Sequence, residues 1–547
     1  MPKFKTPVEA FLFWESKQPD KLFLNQPLNG QYKTYTYKEA GLEIRKIAQS
    51  LRDLNLPKDG KVAILSKNCA HWIMADLAIL MAGYVSVPIY PTLLADGIEY
   101  IINHSEAKAI IIGKLDHYDS QKNGIKNILK ISVSLYDIEE EQTWEQLVKT
   151  SLPLTDSKGL QPDDLMTIIY TSGTTGVPKG VMHKVSSFAQ VGQTALEVIN
   201  LPSHPRFFSY LPLSHIAERM GIEMHGLFRG AQFYFPESLE SFAADLERVQ
   251  PHLFFAVPRI FAKFKEKILA TIPQRKLNII LAIPVLNTLF RKKLHKKLGL
   301  GSARIVFSGA APLAVSMMNW YEKIGISIHQ AYGMTEDCAL SHFNLPNNNI
   351  KGSVGKPLPG ATAKLNELGE VCIKSNCLML GYYKMPEETK ASFDEEGYLK
   401  TGDIGEYNHQ YLYITGRIKD QFKTDKGKYI APAPIELEFL KNRNIEQICV
   451  VGMGIPQPIA LITLAENSKN LTQVELSASL IETLNQINPT LEKHEKVEKI
   501  VIMSEDWTME NGLLTPTLKT KRNQIEKIHQ PKYAIWFNQK NTVIYES

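Results

Sequence analysis

The chain has 547 residues, with 62 basic against 57 acidic side chains for a net charge of +5, and is 44% hydrophobic and 22% charged. That length exceeds one ordinary core and predicts two or more domains of a soluble globular protein. The mild charge argues against a nucleic-acid partner. The five cysteines, an odd count with no C-x2-C pair, exclude a disulfide framework and the common zinc spacings and predict free thiols in a reducing compartment.

Met1 to Trp14 has no apolar run long enough for a signal peptide, so a cytoplasmic protein is expected. Short apolar runs at Lys61–Ser66, Ala109–Ile112, Leu253–Val257, Ala303–Ser308 and Ile326–His329 predict strands, with helical patterns such as Ile44–Leu54 and Ala314–Lys323 between them. The alternation predicts parallel sheets covered by helices. Leu77–Leu94 is uncharged but broken by Gly83, Pro88 and Pro91, which predicts a helix running into a strand, not a membrane span.

Asp164–Tyr170 predicts a buried strand. It feeds Thr171-Ser172-Gly173-Thr174-Thr175-Gly176, which is closed by Lys179. Glycines let backbone N–H groups approach an anion, hydroxyls donate to phosphate oxygens, and the lysine adds a point charge. The spacing is not that of a Walker A loop. Leu277–Phe290 is apolar, contains Pro284 and is too short to span a bilayer. It leads into the basic run Arg291–Lys297. Residues 277–297 read either as a core helix with a solvated basic end or as a peripheral contact at the inner face of a membrane.

Ser308-Gly309-Ala310-Ala311 follows a strand and is small enough for backbone to lie against a planar ring. His329–Glu336 offers Gln330, Ala331, an aromatic face in Tyr332, the flexible Gly333, the Thr335 hydroxyl and the Glu336 carboxylate. Such a set can stack a base, touch a phosphate and hold Mg2+. After Gly352, Gly-Pro turns and short alternating strands predict a small barrel or distorted antiparallel sheet. Asp403 in a turn can accept both hydroxyls of a ribose, and Arg417 supplies a second contact. Past Gly416, the runs Ile445–Met453, Ile459–Ala465 and Val497–Met503 predict strands with helices between them. Lys519 stands on a Gly- and Pro-containing loop ahead of a basic helix.

In this order, from about residue 36 to 525, these motifs resemble the acyl-adenylate-forming superfamily. Within it, Tyr210–Arg219, Ser308–Leu313 and Gly512–Arg522 look like the long-chain fatty acyl-CoA synthetases. The resemblance implies an α/β fold: a large N-terminal domain (1–418) of two helix-covered sheets plus a small β-barrel, and a smaller mobile α+β C-terminal domain (419–547), hinged near Lys419. It implies ATP-dependent activation of a medium- or long-chain fatty acid through acyl-AMP, then transfer to CoA, with Mg2+ as cofactor, by a monomer or homodimer. The alternatives are loading of a carrier protein's phosphopantetheine, or an aryl or short-chain acid as substrate.

Carried over by resemblance, Thr171–Gly176 and Lys179 cradle the β- and γ-phosphates. Gly309, Ala310, Ala311 and Gln330–Gly333 line the nucleotide pocket. Thr335 meets the α-phosphate, Glu336 and Thr171 hold Mg2+, Asp403 and Arg417 bind ribose, and Lys519 drives adenylation. Gly427 belongs to the loop that faces the site during thioester formation, and His215 and Arg219 line a substrate channel. Two departures stand out. The lysine motif reads Thr-Leu-Lys in place of Ser-Gly-Lys, as in the long-chain branch. Arg219 stands where some long-chain enzymes carry a gating tryptophan.

Overall fold

The computed structural model describes residues 3–156, 159–171, 177–339, 341–509, 511–515 and 519–546, with the Asn467 side chain set aside. Its backbone contacts divide the chain into two units. One holds Met1–Ala363 with Ile373–Leu399, the other Lys364–Cys372 with Lys400–Ser547.

The first unit contains two large sheets. In the eight-stranded one, Leu165–Thr171, Val85–Ile89, Lys61–Leu65, Ala109–Ile112, Leu129–Ser132 and Gln142–Thr143 lie side by side and parallel. Lys179–Lys184 and Gly381–Tyr382 extend it antiparallel at one edge. The nine-stranded sheet has Ile328–Tyr332, Ile305–Ser308, Leu253–Ala256, Arg206–Phe208 and Gln232–Tyr234 as its parallel centre. Parallel strands covered on both faces need apolar residues along their length, and the central strands are buried at every residue but the half-buried Lys61.

Period-two alternation then sorts them into separate cores. Val62, Ile64, Phe255 and Phe307 join one cluster shared by both sheets. Ala63 and Leu65 turn to a second cluster, and Phe254 and Val306 to a third. The helix Ala70–Ala82 is buried at every residue and ends at Gly83, ahead of the strand Val85–Ile89, as the uncharged stretch predicts. The apolar stretch before the basic run is two helices, Gln274–Ala282 and Pro284–Lys297, because Pro284 cannot continue the first.

The second unit contains the hairpin of Leu399–Asn408 with Tyr411–Arg417 and a four-stranded sheet of Ile445–Val451, Ile459–Leu464, Lys499–Ile502 and Val543–Tyr545. Alternation again splits this sheet. Val450, Ala460, Ile462 and Ile500 face the helix Gln473–Ile487, while Val451, Leu461 and Val501 face Ile525 and Trp536. The fourth strand, too short to stand out in sequence, pairs parallel with Lys499–Ile502. All five cysteines are free and buried. No described helix is long and apolar enough to cross a membrane.

Candidate active site

Strand pairing sets the first unit's site. Thr171 ends one strand and Lys179 begins the next, directly opposite it in the antiparallel register. The connection between them is therefore the phosphate-loop candidate. Ser172, Gly173, Thr174, Thr175 and Gly176 lie outside the described residues. Tyr382, on the strand added beyond Lys179–Lys184, brings its ring centroid to 4.8 Å from the Lys179 ammonium. Its phenol donates a 2.8 Å hydrogen bond to Glu336 Oε1. Burial first, then the Glu336 charge, push the phenol above its ordinary pKa, so it stays protonated and donates. One side chain thus spans the loop lysine and the carboxylate.

Tyr382 belongs to no motif legible in the sequence. Its only local signal is Gly381, whose φ of +141° and close approach to Thr389, at 2.7 Å from a notional Cβ, admit no side chain.

The turn Thr335–Asp337 is held from several sides. Met334 N donates to Asp337 Oδ1 (2.8 Å), and Met379 N donates to the Glu336 carbonyl (2.8 Å). His183 Nε2 donates to the Thr335 carbonyl at 2.7 Å, which leaves Nδ1 to accept from the Cys338 thiol at 3.3 Å. Burial pushes His183 down to about 4, with the bond to Thr335 opposing and the Arg219 charge adding, so the ring is neutral near pH 7. Gly333 is needed because a Cβ there would lie 2.4 Å from the Ala339 backbone carbon. Thr335 and Glu336 are buried.

The small-residue segment lies beside this turn in the sheet. Ser308 pairs with Gln330 across the parallel strands, and a Cβ on Gly309 would stand 3.2 Å from the Ala331 carbonyl. Ala310 adopts φ +65°, uncommon for a residue with a side chain, and Ala311 is exposed. Tyr332, half-buried, ends the strand Ile328–Tyr332. The Ser308 hydroxyl and the Gln330 Oε1 are buried without a hydrogen-bond partner, an arrangement suited to a polar planar ligand. The candidate metal donors are a carboxylate at Glu336 and a hydroxyl at Thr171. Among the described residues no cluster of three or more His, Cys, Asp or Glu could hold a metal. So sparse a set fits Mg2+, which keeps water and substrate phosphates among its ligands.

His215 caps the short helix Ile216–Glu218, its Nδ1 accepting from Ala217 N at 3.1 Å. Arg219, the other channel candidate, has no exposed surface and is paired with Asp76 at 2.5 Å. It donates to Thr167 Oγ1 at 2.7 Å, stands 3.5 Å from Glu223, and is flanked by the rings of Trp72 and Phe188. It opens the π-helix Arg219–Met224, a turn with no sequence signature. Burial, then the Asp76 charge, push Glu223 well above the usual carboxylate range against the Arg219 charge. The cluster thus sets one guanidinium between two buried carboxyl groups.

In the second unit, Asp403 is buried and sits directly across from Arg417, whose Nε donates to its Oδ1 at 2.6 Å. Thr401 Oγ1 donates to the Val371 carbonyl (2.7 Å) and Gly402 N to Glu370 Oε1 (2.9 Å), which pins the turn before Asp403. Lys519 is bonded back to Thr515: Thr515 N donates to its carbonyl (2.8 Å), and its own N–H donates to Thr515 Oγ1 (3.0 Å). The residue keeps exposed surface, yet its ammonium is pushed down to about 8. Desolvation leads, Arg417 adds, and Asp403 opposes. Lys419 is exposed in the turn Ile418–Asp420, and Gly427 turns at φ +78° between Phe422–Lys423 and Tyr429–Ile430.

Residues 12–383 match the family model for AMP-binding enzymes, and 419–532 match that for the AMP-binding enzyme C-terminal domain. The chain is 29% identical to long-chain-fatty-acid--CoA ligase 5 of Rattus norvegicus, over 92% of this chain and 84% of that protein. It is 29% identical to the long-chain-fatty-acid--CoA ligase FadD15 of Mycobacterium bovis, over 97% of each. In fold it is similar to the anthranilate CoA ligase AuaEII, solved with anthranoyl-AMP, at a TM-score of 0.78 and 19% identity, covering 96% of this chain and 98% of that one.

Proposed function

The chain belongs to the AMP-binding enzyme family, and from that premise we propose that it activates a medium- or long-chain fatty acid as acyl-AMP and passes the acyl group to CoA. The observation that supports this reading is the grouping around Tyr382, whose ring meets the Lys179 ammonium and whose phenol bonds the buried Glu336 carboxylate, the pair assigned here to phosphate and metal. The long-chain substrate is supported by the two curated ligases above, and CoA as acceptor by the same pair.

The carboxylate oxygen attacks the α-phosphorus and pyrophosphate leaves. Lys179 and the loop Thr171–Gly176 hold the leaving phosphates, Thr335 meets the α-phosphate, and Lys519 neutralises charge on the attacking and transferring groups. Glu336 and Thr171 would hold Mg2+, which supplies charge neutralisation on the phosphates when bound. Gly309–Ala311 and Tyr332 receive the adenine, Gln330, Ala331 and Gly333 complete the nucleotide pocket, and Asp403 with Arg417 hold the ribose. The CoA thiol, losing its proton, then attacks the acyl carbon and AMP leaves. Lys519 has no task in that step, so we assign the exchange to movement of 419–547 about Lys419, which would present the Gly427 loop instead. His215 and Arg219 stand as channel candidates. ATP, CoA and five free thiols suit a cytoplasmic setting.

Pyrophosphate release measured with carboxylates from acetate to stearate, with and without CoA, tests the reading. The expected result is release that peaks with medium or long chains and CoA-dependent formation of thioester. Release with aryl acids alone moves the substrate. Thioester formation on a holo-carrier protein but not on free CoA moves the acceptor.

Tyr382→Phe tests the geometry that carries the proposal, since it keeps the ring over Lys179 and removes only the bond to Glu336. Half-saturation by Mg2+ and ATP should rise roughly tenfold, the worth of one hydrogen bond to a charged group, with the fatty-acid KM unmoved. An unchanged metal titration would separate Tyr382 from the metal's carboxylate.

A further inference from the structure

The helices Gln274–Ala282 and Pro284–Lys297 form a hairpin on the first unit whose two sides differ. Leu277, Leu281, Phe290 and Leu294 pack on a core cluster. The other side leaves Ile279 63%, Ile283 43%, Val285 71%, Leu286 47% and Leu289 64% exposed, and no residue of Pro284–Lys297 is buried. Five neighbouring large apolar side chains in water are unlike the scattered singles of an ordinary surface.

Helical spacing lines up Val285, Leu289, Lys292 and Lys296 on one face, so an apolar tip at the helix junction is followed by cations. Residues 274–297 contain no Asp or Glu. Arg275, Lys276, Lys292, Lys293 and Lys296 are exposed, while Lys297 is tied to Glu247 at 2.7 Å.

We propose that this hairpin docks the protein on an anionic lipid bilayer, with the apolar tip entering the headgroup boundary and the flanking cations against lipid phosphates. The pairing of a shallow apolar face with a basic rim is the chemistry of an interfacial helix. Charge decides against a second copy of the chain: a two-fold contact centred here would set its cations against their own copies. The docking rests on exposure and charge and stands apart from the substrate reading.

Sedimentation of the full chain with phosphatidylcholine vesicles, with and without one third phosphatidylglycerol, tests it. The protein should pellet with the mixed vesicles at low salt and release at high salt or on phosphatidylcholine alone. Leu286→Glu with Leu289→Glu, and separately Lys292→Ala with Lys293→Ala and Lys296→Ala, should each lower partitioning roughly tenfold. Circular dichroism and vesicle-free pyrophosphate release should stay as in the parent. A parent protein that stays in the supernatant, or variants that pellet as it does, would overturn the proposal. So would sedimentation velocity in which Leu286→Glu with Leu289→Glu converts a dimer to a monomer while the parent ignores vesicles, since the face would then be a self-interface.

Discussion

Lys519→Ala is expected to lower the rate of pyrophosphate release by roughly a thousandfold, the scale of removing a group that acts on transition-state charge. CoA attack on supplied acyl-AMP should stay within a few-fold of the parent. The asymmetry follows from the two steps: the first brings a carboxylate against a polyanion, and the second attacks a carbonyl with AMP as leaving group. Lysine is suited to the first because its ammonium is a compact charge on a flexible stem.

The ammonium's pKa of about 8 adds a sign. The group is cationic below that pH and loses its proton as pH rises through it. kcat/KM for adenylation, which reports the free enzyme, should therefore fall above about pH 8, and the thioester step measured on acyl-AMP should not follow it. Arg417 is a secondary cause of the lowered pKa, so Arg417→Gln should move the descending limb to higher pH. A Lys519→Ala protein that adenylates within a few-fold of the parent would remove Lys519 from the mechanism.

Arg219→Met should destabilise the first unit by about 3–5 kcal/mol, the cost of leaving a buried charge without its partner. The guanidinium has no exposed surface, and neither does Asp76 opposite it. Losing the cation leaves the Asp76 carboxylate facing Glu223 in an apolar surround of Trp72 and Phe188. Changing both ends, Asp76→Leu with Arg219→Met, should recover most of the loss, because an apolar replacement of the whole pair escapes the desolvation cost. Urea unfolding followed by tryptophan fluorescence measures the cycle. Additive losses in the double variant would mean that the two side chains act separately.

The sequence reading and the fold agree most closely where one residue's neighbours in the chain decide its state. The apolar runs at Lys61–Leu65, Ala109–Ile112 and Leu253–Ala256 become strands buried on both faces, since no polar position interrupts them. The Gly- and hydroxyl-rich loop, the Thr335–Glu336 turn, Asp403 and Lys519 are recognisable because their chemistry is written in contiguous residues. Residues 277–297 were legible as apolar then basic. Which of their side chains are covered was not, because that depends on the packing of Leu277 and Phe290 against distant strands.

Tyr382, His183 and Cys338 belong to the other class. Tyr382 reaches Glu336 across 46 positions, and His183 reaches Thr335 across 152, through sheet pairings that no local pattern announces. Arg219 follows a motif histidine in the chain, and its burial against Asp76, 143 positions away, is a tertiary fact. By itself the sequence determined the alternation that makes the sheets and which residues were candidates: a Gly- and hydroxyl-rich loop for phosphate, a carboxylate in a turn for a metal, Asp403 for ribose and Lys519 for adenylation. Only the tertiary structure decided which groups share a charge, a proton or a solvent boundary, because hydrogen bonds and desolvation depend on distance in space and burial, which chain order does not encode.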